Sequence, residues 1–452
     1  MTILVVHNRY RVRGGEDGVF ETECRLLEEA GHWVVKYEKS NRDIPDRGGR
    51  LGLALRTIWN PRTYREIRAI IRAEKPDVVH CHNTFPLVSP SVYWAAAREG
   101  VPVVQTLHNY RLACLNGYLF RDGHICEDCL GRAPWRGLRR RCYRGSFGGS
   151  FALFAMLAVH RLLGTWRRKV TRYVALTDFA KAKFVAAGLP ADKLVVKPNA
   201  FAPPAQTRPD PAPGSRDLGI PESRGQNPRI REPENPALRV IYLGRLSPEK
   251  GVDILIRAWS LFRRGAADHS SLVTRPSSLV IVGDGPECKA LESLAGGDPS
   301  VRFLGLLPRE QALAELSSAS LLVFPSLWYE TFGLTILEAA SQGVPAVVTN
   351  VGGQSSLVQD GVTGRYVPPG DPAALAAALR ELLAEPAALR RMGAAARAAF
   401  EASDCAPSRN LARLLAIYAA IDRGLVLRNS FRSEYDCRKL TPITNKHCQK
   451  VP

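Results

Sequence analysis

Twice along this chain, short runs of Val, Ile and Leu alternate with stretches of helical periodicity, and a Pro-rich break separates the two series. In the first series, residues 3–7, 34–37, 77–81, 103–108, 173–176 and 194–196 read as strands; in the second, 240–243, 279–282, 301–304, 321–324, 346–348 and 364–367 do so. Nearly continuous apolar runs set between helices mark strands buried on both faces of a parallel sheet. The expected fold is α/β, with two Rossmann-like doubly wound domains facing each other across a cleft, and a length of 452 residues suits two such cores. Residues 1–202 would form the first domain and 238–423 the second, closed by Ala-rich helices between 372 and 421. Residues 203–237, loaded with Pro, Gly, Ser, Asn and charge, read as a linker that buries too little surface to order itself. From 424 to 452 no clear period remains, and a poorly ordered tail is expected.

A Gly-, Cys- and Arg-rich excursion, residues 112–147, interrupts the first series after its fourth strand. It is too polar and too punctuated for a regular helix. In a doubly wound sheet the carboxyl ends of the strands hold the ligand, so an insertion there overlooks the cleft.

The most informative stretch is Glu330-Thr331-Phe332-Gly333-Leu334-Thr335-Ile336-Leu337-Glu338, which follows the strand 321–324 and opens a helix. Phe332, Gly333 and Leu334 are expected in its first turn, their backbone N–H groups free for phosphate oxygens at the positive end of the helix dipole. Gly333 lacks the Cβ that would block close approach. Glu338 sits two turns on among Ile336, Leu337, Ala339 and Ala340, where a carboxylate needs donors that ribose hydroxyls would supply.

Two glutamates separated by seven residues in this strand-loop-helix setting resemble the signature of the retaining GT-B glycosyltransferases of family 4, the large glycosyl transferases group 1 family. The resemblance covers roughly residues 1–421 without the linker, and the insertion resembles that of a subset of the family. It implies that Glu330 approaches the hydroxyls of the donor sugar while Glu338 holds the nucleotide ribose. Arg245 and Lys250, in the loop after the strand 240–243, are cations placed to neutralise a departing pyrophosphate, as the equivalent pair does in the family. Gly283 and Asp284 look like the family's turn beside the nucleotide. Gly14 and Gly15 resemble its glycine-rich loop, although Glu16 and Asp17 make that helix start unfriendly to phosphate. His108 stands where a family histidine reaches the donor sugar. His80 and His82 share one face of a buried strand end and read as structural.

The implied reaction moves a sugar from a nucleotide-diphosphate sugar to an acceptor hydroxyl with retention of configuration. The donor is a co-substrate and no cofactor is required: the chain has no Asp-x-Asp, the motif that would hold a divalent ion on the diphosphate. Attack is expected from the face of the leaving group, with the departing phosphate acting as base, because no second carboxylate presents itself as a nucleophile.

The acceptor is read from charge. The formal charge is +19, and residues 131–177 hold eleven Lys and Arg and no acid. An anionic partner follows, and a helix over 149–169, apolar early and cationic late, suits an anionic membrane surface. A lipid-linked glycan of surface-polysaccharide assembly fits both, whereas a core helix with a charged end accounts for the helix equally well. The first residues look like a buried strand and no run is long enough to span a bilayer, so a cytoplasmic protein, peripheral at the inner face of the membrane, is expected.

Three rivals use the same features. A sugar-nucleotide epimerase would need acid/base residues near the sugar, and a glycan phosphorylase would need a pyridoxal-binding lysine. A nucleic-acid-binding protein would use the basic half alone. Cys114, Cys126, Cys129 and Cys142 form a C-x11-C-x2-C-x12-C pattern within the insertion. One knuckle-spaced pair and two flanking cysteines suit a structural zinc, reduced thiols or a labile disulfide.

Overall fold

The computed structural model describes residues 1–44, 49–202, 237–268 and 276–434. The expected linker, residue 237 excepted, lies outside the described residues, as does the tail beyond 434. The first sheet contains β1 (Thr2–Arg9), β2 (Trp33–Ser40), β3 (Val78–Cys81), β4 (Val103–Leu107), β7 (Arg172–Ala175) and β8 (Leu194–Val196), and the insertion adds a small hairpin, β5 (Phe120–Arg121) with β6 (His124–Ile125). The second sheet contains β9 (Leu238–Leu243), β10 (Ser277–Val282), β11 (Val301–Gly305), β12 (Leu321–Phe324), β13 (Ala346–Thr349) and β14 (Gly364–Val367).

Both six-stranded sheets are parallel, in the orders β2-β1-β3-β4-β7-β8 and β11-β10-β9-β12-β13-β14. Sheet growth reverses between β1 and β3 in the first and between β9 and β12 in the second, and ligands of such sheets bind outside the strand ends at these switch points. Strand β1 shows the two-faced burial that its unbroken apolar run implies. Leu4 and Val6 enter the core under the helix Ser91–Arg98, while Ile3 and Val5 meet Phe20, Cys24 and Leu27 of the helix Gly15–Glu29. In the second domain Leu255, Ile256, Trp259 and Phe262 recur at helical spacing on Val252–Asp268 and bury one face against the sheet.

Three expectations are corrected. The cationic helix over 149–169 is two helices, Phe147–Leu162 and Thr165–Arg168, because Gly164 turns left-handed at φ +66° and ends the first. The last Ala-rich helix, Pro407–Glu434, does not finish the second domain. Leu414, Ile417, Tyr418 and Ile421 form one face that packs on Ile3, Val5 and Phe20 of the first, and the Tyr418 hydroxyl lies 2.7 Å from His80 Nδ1. That helix also runs to Glu434, into the segment where no period was legible, since a tethered helix propagates through Leu- and Arg-rich sequence at little cost. Among the described residues, no helix is long and apolar enough to cross a membrane.

Candidate active site

The strand β12 delivers the chain into the loop 325–333, and β9 delivers it into the loop 244–251 beside it. The loops are joined by the Leu327 N–H, which donates to the Glu249 carbonyl at 2.8 Å. Glycine is required at 251: its φ is +64°, and a Cβ there would stand 2.3 Å from the Pro325 carbonyl. This close approach brings Lys250 onto Glu330. The Lys250 ammonium, the Ser326 hydroxyl at 2.9 Å and the Trp328 indole N–H at 2.9 Å all donate to Glu330 Oε1. With three donors on one oxygen, Oε2 is left to accept from a further group. Lys250, read from the sequence as a cation for the diphosphate, thus already shares its charge with Glu330.

Phe332 and Gly333 lie just before the helix and not in its first turn, which begins at Leu334. Phe332 is drawn into the core with Phe324, Ile336 and Leu337, so Gly333 must cap at φ +108°. The first bonds of the helix return from Ile336 and Leu337 N–H to the Gly333 carbonyl, which leaves the N–H groups of Leu334 and Thr335 ahead of the bonded turn. That is the positive pole of a helix start. Gly352 and Gly353, after β13, were passed over in the sequence, yet they close the back of the site. Gly353 N–H donates to the Glu330 carbonyl at 2.7 Å, and a Cβ at 352 would lie 2.7 Å from Glu330 N.

Glu338 is buried, as its apolar neighbours implied, but it has a protein partner. Arg309 reaches it at 2.9 Å from the helix Arg309–Ser317. Burial pushes its carboxyl above the usual range, and Arg309 opposes that shift. The Gly283-Asp284 turn leans on the Arg245 loop: Leu246 N–H donates to the Asp284 carbonyl at 3.0 Å, and a Cβ on Gly283 would lie 1.8 Å from the Gly244 carbonyl. Arg245 itself is exposed, and among the described residues no ion pair occupies its guanidinium.

The first domain faces this constellation closely. Gly15 stands opposite the helix start, where a Cβ would come within 2.8 Å of Leu334 Cδ1. The two acids beside it are tied up internally. Asp17 accepts from Gly14 N–H at 2.8 Å and pairs with His7, also at 2.8 Å; Glu16 accepts from the Tyr10 hydroxyl and the Asn109 amide, each at 2.9 Å. Burial raises the Glu16 carboxyl above its ordinary range. The Thr331 hydroxyl donates to the His108 carbonyl at 2.8 Å, so the loop carrying Glu330 is hydrogen-bonded to the strand end carrying the histidine.

His82, read from sequence as structural, lies directly behind His108: its Nδ1 is 3.0 Å from His108 Nε2, and the rings stack. Burial lowers His82 to about 4 and holds His108 well below its ordinary value, so both are neutral near pH 7. Behind them, Glu23 lies 2.9 Å from the buried Lys197 and within 3.1 and 3.3 Å of His80 and His82. Burial would raise the Glu23 carboxyl, but Lys197 and His80 hold it well below the usual range. Glu23, His80 and His82 have ligand atoms within 4.8 Å of one another. The Lys197 ammonium already supplies the cation there. The signal for His82 was the i, i+2 pair it makes with His80 at the end of β3, but nothing in the sequence placed Glu23 or His108 beside it.

Beside His108 a small cavity opens into the first domain, lined by Asn83, Thr84, Phe85, Gln105, Arg111 and Met156 among others. Met156 comes from Phe147–Leu162, whose opposite side leaves Phe147, Phe151 and Leu162 exposed, the last at 88%. The neighbouring helix Arg50–Ile58 packs on it and exposes Leu51 and Leu55.

Comparison with known proteins supplies the family. Residues 15–200 match the model of the glycosyl transferase 4-like domain, and residues 224–399 match that of the glycosyl transferases group 1. The chain belongs to the group 1 glycosyl transferases. Within this family it is 40% identical over 171 residues to the glycogen synthase of Mycobacterium tuberculosis, covering 37% of this chain and 39% of that one. It is 36% identical over 167 residues to the GDP-mannose-dependent alpha-(1-6)-phosphatidylinositol monomannoside mannosyltransferase of Mycolicibacterium smegmatis, covering 35% of this chain and 42% of the relative. The alignments therefore span only about two-fifths of these relatives' lengths. Among solved structures, HepE of Anabaena in complex with UDP and glucose superposes with a TM-score of 0.60 at 18% identity, over 93% of this chain and all of that one. That likeness is one of fold: two Rossmann-like domains in the GT-B arrangement.

Proposed function

We propose that this group 1 glycosyl transferase moves a sugar from a nucleotide-diphosphate sugar to the hydroxyl of a lipid-linked or surface-polysaccharide glycan, with retention of configuration. The observation that carries the reading is the Lys250–Glu330 pair set beside the helix start at Gly333, with Gly15 and His108 facing it from the other domain. The open N–H groups of Leu334 and Thr335 and the free guanidinium of Arg245 bind the diphosphate. Lys250, with donors to spare after serving Glu330, carries part of the charge that builds as the sugar departs. Glu330 Oε2 accepts a sugar hydroxyl. Glu338 accepts from the ribose, sharing its oxygens with Arg309. Gly283 and Asp284 border the nucleotide, and Gly14 and Gly15 let backbone approach the donor from the opposite wall.

Neutral His108 receives a second sugar hydroxyl. His82 Nε2 lies 3.3 Å from Glu23 Oε1, whose negative charge favours a proton on that nitrogen and leaves His82 Nδ1 as acceptor for His108 Nε2–H. His108 Nδ1 is then an acceptor as well. With no second carboxylate placed as a nucleophile, the departing phosphate takes the proton of the incoming hydroxyl on the same face.

The acceptor reading rests on the first domain. The cavity beside His108 shares the helix Phe147–Leu162 with the apolar ridge of Phe151 and Leu162, and the flanking segment contributes Arg139, Arg141, Arg144, Arg167 and Arg168. An apolar ridge rimmed by cations suits an anionic membrane surface that presents a lipid-linked acceptor. M. smegmatis mannosyltransferase, one of the relatives above, is by name an enzyme of a phosphatidylinositol glycolipid.

The test is release of nucleoside diphosphate from a panel of nucleotide sugars. Turnover with one or two donors, insensitive to EDTA and abolished by Glu330→Ala, is expected. Absence of binding by any donor would overturn the reading.

A further inference from the structure

The four cysteines of the insertion stand outside the machinery just described. Cys114, Cys126, Cys129 and Cys142 come from separate turns, yet all four line one cavity of about 10 Å3, room for a single ion or water. Cys114 and Cys129 are buried. Burial holds the Cys114 and Cys129 thiols above their ordinary value and pushes Cys142 up to about 11, so the sulfurs stay protonated until a cation displaces the protons. The Cys114 thiol donates to Asn116 Oδ1 at 3.0 Å. Arg121 and Arg140 border the same cavity, and the buried Arg121 Nε has no acceptor within the protein. A buried donor without a partner is costly unless something anionic stands before it.

The segment also needs a brace. Its regular structure is limited to the two-residue strands β5 and β6 and the short helix Trp135–Arg139. We propose that Cys114, Cys126, Cys129 and Cys142 bind one Zn2+ as a tetrahedral thiolate site that holds the insertion together. On binding, the four thiols release their protons to solvent, four Zn–S bonds form and the ion sheds its waters. No three of the four sulfurs lie within 4.8 Å of one another, so binding would draw them inward. Arg121, which also pairs with Asp122, and Arg140, which pairs with Asp128 at the rim of the cavity, then offset part of the net negative charge of the tetrathiolate.

The consequence reaches the cleft. Tyr118, in the same insertion, meets Trp328 edge-on at 5.0 Å, and Trp328 donates to Glu330; Glu127, inside the Cys-x-x-Cys pair, bonds Lys183. A braced insertion is therefore a fixed wall beside Glu330.

The full chain, produced in zinc-replete medium and dialysed free of loose metal, is to be analysed for metal and reactive thiols. Close to one zinc per chain is expected, released by a mercurial, and Co2+ in its place should give the strong visible and near-ultraviolet bands of tetrahedral thiolate ligation. Cys126→Ser and Cys142→Ser should each fall below half an equivalent, with circular dichroism reporting whether the chain still folds. His82→Ala should keep its zinc. Less than half an equivalent in the unaltered protein, a disulfide joining any two of the four cysteines, or zinc that leaves with His82→Ala would overturn the proposal. None of these outcomes depends on transferase activity.

Discussion

Lys250 and Glu330, eighty residues apart, are bonded through Nζ and Oε1 in the floor of the cleft. The contact depends on Gly251, whose missing Cβ lets the loop after β9 lie against the Pro325 carbonyl. In the proposed reaction one residue would carry charge on the diphosphate and orient Glu330. Its removal should therefore cost both activity and stability.

Lys250→Ala should lower transfer by about 100-fold or more and, by leaving a buried carboxylate short of a donor, destabilise the fold by about 1–3 kcal/mol. The double variant Lys250→Ala/Glu330→Ala should regain part of that stability and none of the activity. Denaturant melts and donor turnover on the three variants check it. Strictly additive stability losses would show that the pair is not coupled in solution.

Glu338 and Arg309 separate donor binding from structure. Glu338→Gln keeps the shape and loses the charged acceptor, so KM for the donor should rise about tenfold, with kcat little changed. Arg309→Ala leaves the Glu338 carboxyl buried without its cation and should cost about 1–2 kcal/mol of stability while raising donor KM less. If both variants raise KM equally, Arg309 belongs to the donor site and is not merely the partner of Glu338.

The sheets were legible because buried parallel strands leave unbroken apolar runs, and all twelve appear within a few residues of where the runs lie. Glu330, Glu338, Lys250 and Gly333 were legible because one short motif and one loop carry them. Their partners were not. Arg309, Ser326 and Trp328 sit on ordinary sequence, and only folding brings them within 2.9 Å of the residues they serve, as it brings His82, half of a visible histidine pair, within 3.0 Å of His108. The return of Pro407–Glu434 to the first domain was hidden for a related reason: its apolar face has the right spacing for a helix, and spacing does not say which sheet it covers.

The glycines of the cleft divide by what surrounds them. Gly283 has φ +138° and its Cβ would collide with the Gly244 carbonyl, so Gly283→Ala should cost about 2–4 kcal/mol. At Gly15 the obstacle is the tip of the Leu334 side chain, which can turn aside. Gly15→Ala should leave the thermal midpoint nearly unchanged and raise donor KM several-fold by narrowing the gap above the helix start. Gly18→Ala, on the same helix with no atom within 4 Å of the added Cβ, serves as the silent comparison. A Gly15→Ala enzyme with unaltered KM would place the donor elsewhere.

The histidines behind the cleft make acid the condition that takes the site apart. Burial lowers His82 to about 4, against about 6.5 in an unfolded chain, and holds His108 well below its ordinary value, with His82 adding to that shift. Between those values the unfolded state binds more protons than the folded one, so stability is complete above about pH 6.5 and is lost as the pH falls toward 4. For His82 alone the loss is on the order of 3 kcal/mol across that window. Glu23, held low by Lys197 and His80, adds loss in the same direction at the acid end. Thermal melts should therefore show a midpoint that falls by several degrees from pH 7.5 to 5, and the fall should be smaller in His82→Asn. A midpoint that is flat over that range would mean the buried histidines titrate as they do in an unfolded chain, and the neutral acceptor assigned to His108 would go with it.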